Sequence, residues 1–228
     1  LIIDPDKNNV ALHQNNQNNK FTIPHNSVWT ISEDNYHNIW IGTFVGSATY
    51  VNKYEENIFT TYQLSTEGLM KTPVSGFSVH DEKVWISTEG GGVNILNKKN
   101  DSFSYLTRSD NKDGLSGNYT KPSAIDKEGN IWVPTFREGL NKYNPKTKQF
   151  INIRYSSNDL RKVILEPDSG LWIIYQLHSL KISYLSFDNM KVTHFSAETY
   201  DFNISPQDYI FDAYRGDDDK LWFITSEK

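Results

Sequence analysis

Asn130-Ile131-Trp132-Val133-Pro134-Thr135 decides the reading of this chain, because the same phrase recurs along its whole length. It appears earlier as Asn38-Ile39-Trp40-Ile41-Gly42-Thr43 and as Lys83-Val84-Trp85-Ile86-Ser87-Thr88. It decays to Gly170-Leu171-Trp172-Ile173-Ile174 and returns as Lys220-Leu221-Trp222-Phe223-Ile224-Thr225. Five of the six Trp residues occupy this slot, at successive spacings of 45, 47, 40 and 50 residues. A short apolar strand repeating at that interval is the mark of a β-propeller blade, so the fold class is all-β, a propeller of four-stranded antiparallel blades. A residue that returns at one slot in every blade is what inter-blade packing demands, and Trp40, Trp85, Trp132, Trp172 and Trp222 read as structural repeat residues rather than as a sugar platform.

Working outward from Trp132, Thr120 to Asp126 reads as the innermost strand and Lys127-Glu128-Gly129-Asn130 as a turn. Ile131 to Thr135 is the Trp strand, Leu140 to Tyr143 the third and Gln149 to Ile153 the outer one. The other units align: Val28 to Asp34 leads to Trp40 and Phe77 to Asp81 leads to Trp85. Ala48 to Val51 and Val93 to Leu96 follow as third strands. Phe59 with Tyr62, and Phe103 with Tyr105, mark outer strands. In the fourth unit the post-Trp glycines are replaced by Tyr175-Gln176-Leu177-His178, and Leu180 to Leu185 and Val192 to Phe195 supply the last two strands. Leu1 to Lys7 matches Leu140 to Lys146, the second half of a blade, while the chain stops just after the Trp222 strand. The organisation is a half blade (1–20), four blades (21–65, 66–110, 111–155, 156–200) and a half blade (201–228). Either the two halves pair to close a five-bladed ring, or the segment is an arc of a larger ring. The arc is the expectation. The polar run Gln14-Asn15-Asn16-Gln17-Asn18-Asn19 reads as a loosely ordered inter-blade loop.

Composition narrows the function. A net charge of −5 lacks the basic field of a nucleic-acid binder. The absence of Cys excludes disulfides, thiolate catalysis and Cys-ligated zinc. No stretch approaches a membrane span of about 18 apolar residues, so no membrane contact is expected of this segment. Gly90-Gly91-Gly92 and Gly46 lack the GK[ST] ending and following helix of a phosphate loop and read as turn glycines. Asp217-Asp218-Asp219 reads as a solvated hairpin turn rather than a calcium loop. His25, His80 and His178 show no metal-ligand spacing, and no metal or cofactor is expected. Asp126, Gly129 and Trp132 are similar to the Asp-box of sialidase propellers at a spacing one residue longer, and that box is itself structural.

Asp113-Gly114-Leu115-Ser116-Gly117-Asn118, followed by Ala124-Ile125-Asp126, Glu128 to Thr135 and Gly139 to Pro145, resembles the two-component regulator propeller repeat. Glu67-Gly68-Leu69 through Trp85 to Gly91-Gly92-Val93 is a second copy, and Val28 through Trp40 to Gly46 a third. The resemblance implies the periplasmic sensor region of a Bacteroidetes-type hybrid two-component system. There, paired seven-bladed propellers sense oligosaccharides and a histidine kinase lies elsewhere in the parent chain. It implies a non-enzymatic segment with an oligosaccharide ligand, contacts to the rest of the receptor and a homodimer partner. Two alternatives stand beside it: a propeller glycoside hydrolase or polysaccharide lyase, with Glu89 and Glu138 as candidate carboxylates, and a protein-interaction scaffold.

In a propeller, the turn after each Trp strand and the loop entering each inner strand share one face, which carries the pocket over the channel. That geometry nominates Phe44, Glu89, Tyr119, Phe136, Arg137, Tyr155, Gln176 and His178 as ligand-binding residues, with Asn26 and Lys71 beside them. Aromatic faces stack on the CH faces of sugars, while amide, acid and Arg groups take hydroxyls.

Overall fold

The computed structural model describes residues 2–4, 9–19, 21–45, 47–52, 59–63, 65, 67–70, 73–111, 113–154, 159–166, 168–175, 180–196 and 209–226. Gly46, Lys71, Tyr155, Gln176, Leu177 and His178, and Leu1 and residues 5–7 of the first half blade, lie outside these.

Among the described residues every element is a strand. A two-stranded sheet pairs β1 (Ile2–Asp4) with β2 (Asn9–Ala11). The first full blade runs β3 (Val28–Glu33), β4 (Ile39–Thr43), β5 (Ser47–Val51), β6 (Phe59–Gln63), and the second β7 (Val74–His80), β8 (Lys83–Thr88), β9 (Gly92–Asn97), β10 (Ser102–Leu106). The third runs β11 (Ala124–Ile125), β12 (Ile131–Thr135), β13 (Gly139–Asn144), β14 (Gln149–Ile153). The fourth runs β15 (Leu160–Glu166), β16 (Gly170–Tyr175), β17 (Leu180–Ser186), β18 (Val192–Ser196). A final hairpin joins β19 (Ile210–Arg215) to β20 (Leu221–Thr225). Each sheet is an antiparallel meander, giving a half blade, four blades and a half blade, with the two halves as separate sheets.

The repeat Trp is the packing unit. Trp40 sits in one apolar cluster with Val74, Phe77, Val84 and Ile86 of the next blade. Trp85 joins Leu115, Ile131, Val133 and Tyr143, and Trp132 joins Leu160, Leu171, Ile173 and Tyr175. Each blade thus lays its Trp onto its successor, so the core is a series of inter-blade layers. β12 is buried at every position because both of its faces meet a neighbouring blade.

The third blade departs from the expected inner strand. Regular pairing spans only Ala124–Ile125, with a separate bridge between Thr120 and Thr135. Pro122 has no N–H to give to the ladder and breaks it. Its ring lies where a Cβ on Gly76 would come within 2.7 Å, so Gly76 is what lets the second blade approach. The Gln14–Asn19 run is a folded connection between β2 and β3. Asn15 Nδ2 donates to the carbonyls of Ile23 and Pro24, and Asn19 Oδ1 accepts from Phe21 N. Asn side chains replace missing backbone partners in such turns.

Candidate functional site

The inner strands share a register defect. Pairing slips by one residue between Val28 and Thr30 in β3, Val74 and Gly76 in β7, Leu160 and Lys162 in β15, and Ile210 and Asp212 in β19. In the third blade the extra residue falls between the Thr120–Thr135 and Ala124–Trp132 pairs. A bulge leaves its residue out of the ladder and re-aims the side chain. The residues at this slot are Trp29, Ser75, Lys121, Arg161 and Phe211, and all five line one cavity of about 1320 Å³. Pro134 lies opposite the bulge of its blade and accepts from Lys121 N, at a place where no donor is required of it.

The rim is built by the repeated Thr. Thr43 Oγ1 donates to Val45 O (3.0 Å), Thr88 Oγ1 to Gly92 O (2.9 Å) and Thr135 Oγ1 to Gly139 O (2.7 Å). Each bond closes the turn after the Trp strand and fixes the next residue, which is Phe44, Glu89 or Phe136. Their N–H groups donate to Ser27 O, Pro73 O and Tyr119 O, binding each turn to the loop that enters its own inner strand.

Of the residues nominated from sequence, Glu89, Tyr119, Phe136 and Arg137 line the cavity. Phe44 packs against Trp29 with ring centroids 5.1 Å apart, at the same mouth. Asn26 is held away in the Asn15 turn by accepting from Asn15 N. Trp29 was not nominated. It is the one Trp outside the repeat slot and it is 47% exposed. The bulge slot does carry a sequence signal: its residue stands eleven positions before the repeat Trp, ten in the second blade, whose turn is a residue shorter.

Charge is concentrated here. The lining holds Arg108, Lys121, Arg137, Arg161 and Lys162 against Glu89, Glu138 and Asp212, a cationic balance in a chain of net charge −5. Lys121 Nζ meets Glu89 Oε1, Lys162 Nζ lies 2.7 Å from Asp212 Oδ1, and Arg154 lies 3.2 Å from Glu138 Oε2. Both carboxylates that could have served a hydrolase are therefore engaged by a cation. Arg137 stacks over Phe136, 4.9 Å from its centroid. Arg161 Nε donates to Phe211 O. Burial pulls the Arg161 guanidinium below its ordinary value, partly offset by the charges of Asp212 and Glu89. Away from the cavity, Asp218 pairs with Lys220 and Asp219 with Arg215, so that acidic turn is spanned by its own cations.

Blades around one lined cavity define the class, a repeat β-propeller. Residues 22–44 match the family described as two component regulator propeller. The chain is 26% identical over 207 residues to a protein named Histidine kinase P4 from Formosa agariphila, covering 83% of this chain and 15% of that protein. Two solved structures share the fold, both described as extracellular domains from B. thetaiotaomicron. One, of a one component system, gives a TM-score of 0.72 at 19% identity, covering 92% of this chain and 29% of that one. The other, of a hybrid two component system, gives 0.69 at 18%, covering 87% and 27%. The chain thus spans less than a third of the length of each of these proteins.

Proposed function

We propose that these blades are the sensing portion of a two-component receptor, facing the periplasm, and that they bind an oligosaccharide at the cavity mouth without transforming it. The observation that carries this reading is the convergence of five bulged inner-strand residues on one cavity, with Trp29 and Phe44 as an exposed aromatic shelf. Solvated loop residues scatter. Here a backbone irregularity repeats so that one side chain per blade turns inward, while the flanking Val74, Thr120, Leu160 and Ile210 stay buried between blades. Aromatic faces beside Arg, Lys and hydroxyl donors are the chemistry that sugars require. The cavity exceeds the roughly 300–1,000 Å³ of a drug-sized site and suits several linked sugar rings. Binding would signal by favouring one arrangement of the receptor over another.

The test uses the full-length chain that carries these blades. Its thermal midpoint is recorded against a panel of neutral and anionic oligosaccharides, with product analysis of each mixture. A ligand at about 100 times its dissociation constant adds roughly 2.7 kcal/mol. An upward shift with unchanged sugar supports a sensor. Cleaved sugar points to a hydrolase or lyase, and a flat panel points to a protein-interaction scaffold.

A further inference from the structure

The bulge slot is a single position sampled once per blade, and its occupants differ: Trp29, Ser75, Lys121, Arg161 and Phe211. Strand-packing positions show the opposite behaviour, since the residue before the slot is apolar or Thr in every blade. A slot that keeps its geometry and varies its chemistry is a reading position, and what it reads follows from what it presents.

Two of the five occupants are aromatic and two are cations. Ser75 Oγ is spent on Thr120 O at 2.8 Å, a link between the second and third blades. Lys121 is held by Glu89. Arg161 differs from both. Its Nε is used by Phe211 O, and among the described residues no carboxylate forms an ion pair with it. A guanidinium offers five N–H donors in a planar fork, so the outer edge of Arg161 remains available. Its neighbour Lys162 pairs with Asp212, and Glu89 with Lys121, so these two carboxylates act on Arg161 only from a distance and neither meets its guanidinium directly.

We propose that the slot selects an anionic saccharide, with Arg161 engaging a carboxylate or sulfate on the sugar and Trp29 stacking on the ring. This rests on the reading that the cavity binds an oligosaccharide, and it adds the charge of that ligand. The fork of Arg161 matches either oxyanion with two parallel N–H···O bonds. The excess of cations over carboxylates in the lining makes the approach attractive to an anion although the whole chain is acidic.

The experiment is isothermal titration of the full-length chain with a galacturonate tetramer, its carboxyl-reduced neutral counterpart and a sulfated galactose oligomer, each at low and high salt. The expected result is binding of a charged probe, none of the reduced one, and weakening with salt. Arg161→Gln should weaken that binding roughly tenfold or more, and Arg161→Lys less. Carboxylate and sulfate are told apart by which probe binds. If charged and neutral probes bind alike, and Trp29→Ala abolishes both, the site stands and its anionic selectivity is overturned. If no probe binds, both the selectivity and the saccharide reading are overturned. Because the reduced and unreduced tetramers are compared on the unmutated protein, the result does not depend on how any variant folds.

Discussion

Beneath the ring of Trp40, Asp34 gathers four donors: Tyr36 N, Asn38 N, Asn38 Nδ2 and Trp40 Nε1, at 2.9 to 3.2 Å. Asp126 repeats this clamp with Asn130 N, Asn130 Nδ2 and Trp132 Nε1, and Glu166 takes Trp172 Nε1 at 3.0 Å. Burial alone would raise the Asp34 carboxyl, but the bonds from Asn38, Trp40 and Tyr36 outweigh it and hold the group below its ordinary value of 3.8. A carboxyl depressed by folding stabilises above its unfolded value and loses that contribution as pH falls through the folded one. Asp34→Asn should therefore cost about 1–3 kcal/mol in urea unfolding at pH 7. The gap to the unmutated chain should stay level down to about pH 5 and close below the ordinary carboxylate range. A gap that stayed constant to pH 2 would remove the ionised clamp from the account. The second blade supplies a natural control. Its hairpin turns in two residues at Asp81-Glu82, no carboxylate reaches the ring, and Trp85 Nε1 has no partner among the described residues. Trp85→Phe should thus cost less than Trp132→Phe, where Asp126 loses a donor; equal losses on denaturation would show that the clamp contributes nothing.

Strands repeat more faithfully than the turns between them, and the second blade shows what holds a turn. Gly92 has φ of 70°, and a Cβ there would come 2.1 Å from Leu106 O. Its carbonyl also receives the Thr88 and Thr120 hydroxyls. Gly92→Ala should destabilise the chain by more than the roughly 1 kcal/mol of a left-handed alanine alone, because the outer strand must also move. Denaturant unfolding measures this, and a loss under 0.5 kcal/mol would refute it. The Trp strands were legible in the sequence because Ile131 to Thr135 is an apolar run between turn signals. The rim was legible because Glu89, Phe136 and Phe44 stand at a fixed step past each Trp. The bulges in the inner strands were not. A bulge inserts one residue without disturbing the apolar pattern on either side, so Trp29 reads as one more residue of the strand Val28 to Asp34, and nothing singles out Arg161 or Phe211. Pro122 had been carried inside a strand that it interrupts.

Across the whole molecule, stability is set by layers between neighbouring blades, so the weight of a residue depends on which blades flank it. Trp132 is completely buried and packs on the fourth blade, whereas Trp222, in the same repeat slot, is 50% exposed. Phe211, Tyr214 and Ile224 are exposed on β19 and β20, as is Tyr209 just before β19. One sequence signal therefore carries two energies in this segment. Trp132→Ala should cost about 3–5 kcal/mol and loosen the third and fourth blades together. Trp222→Ala should stay within about 0.5 kcal/mol in the same 228-residue segment, as an exposed substitution does. Urea unfolding of the two variants, with hydrogen exchange to localise the loss, decides between this and a uniformly cooperative ring. If Trp222→Ala destabilises as much as Trp132→Ala, the last hairpin is held by contacts beyond its exposed face, and the layer-by-layer account fails. Under the proposed ligand-binding reading, a ligand bridging inner strands of several blades through Trp29, Lys121 and Arg161 would add coupling between layers that otherwise touch only their neighbours, so binding should stiffen these blades as a unit.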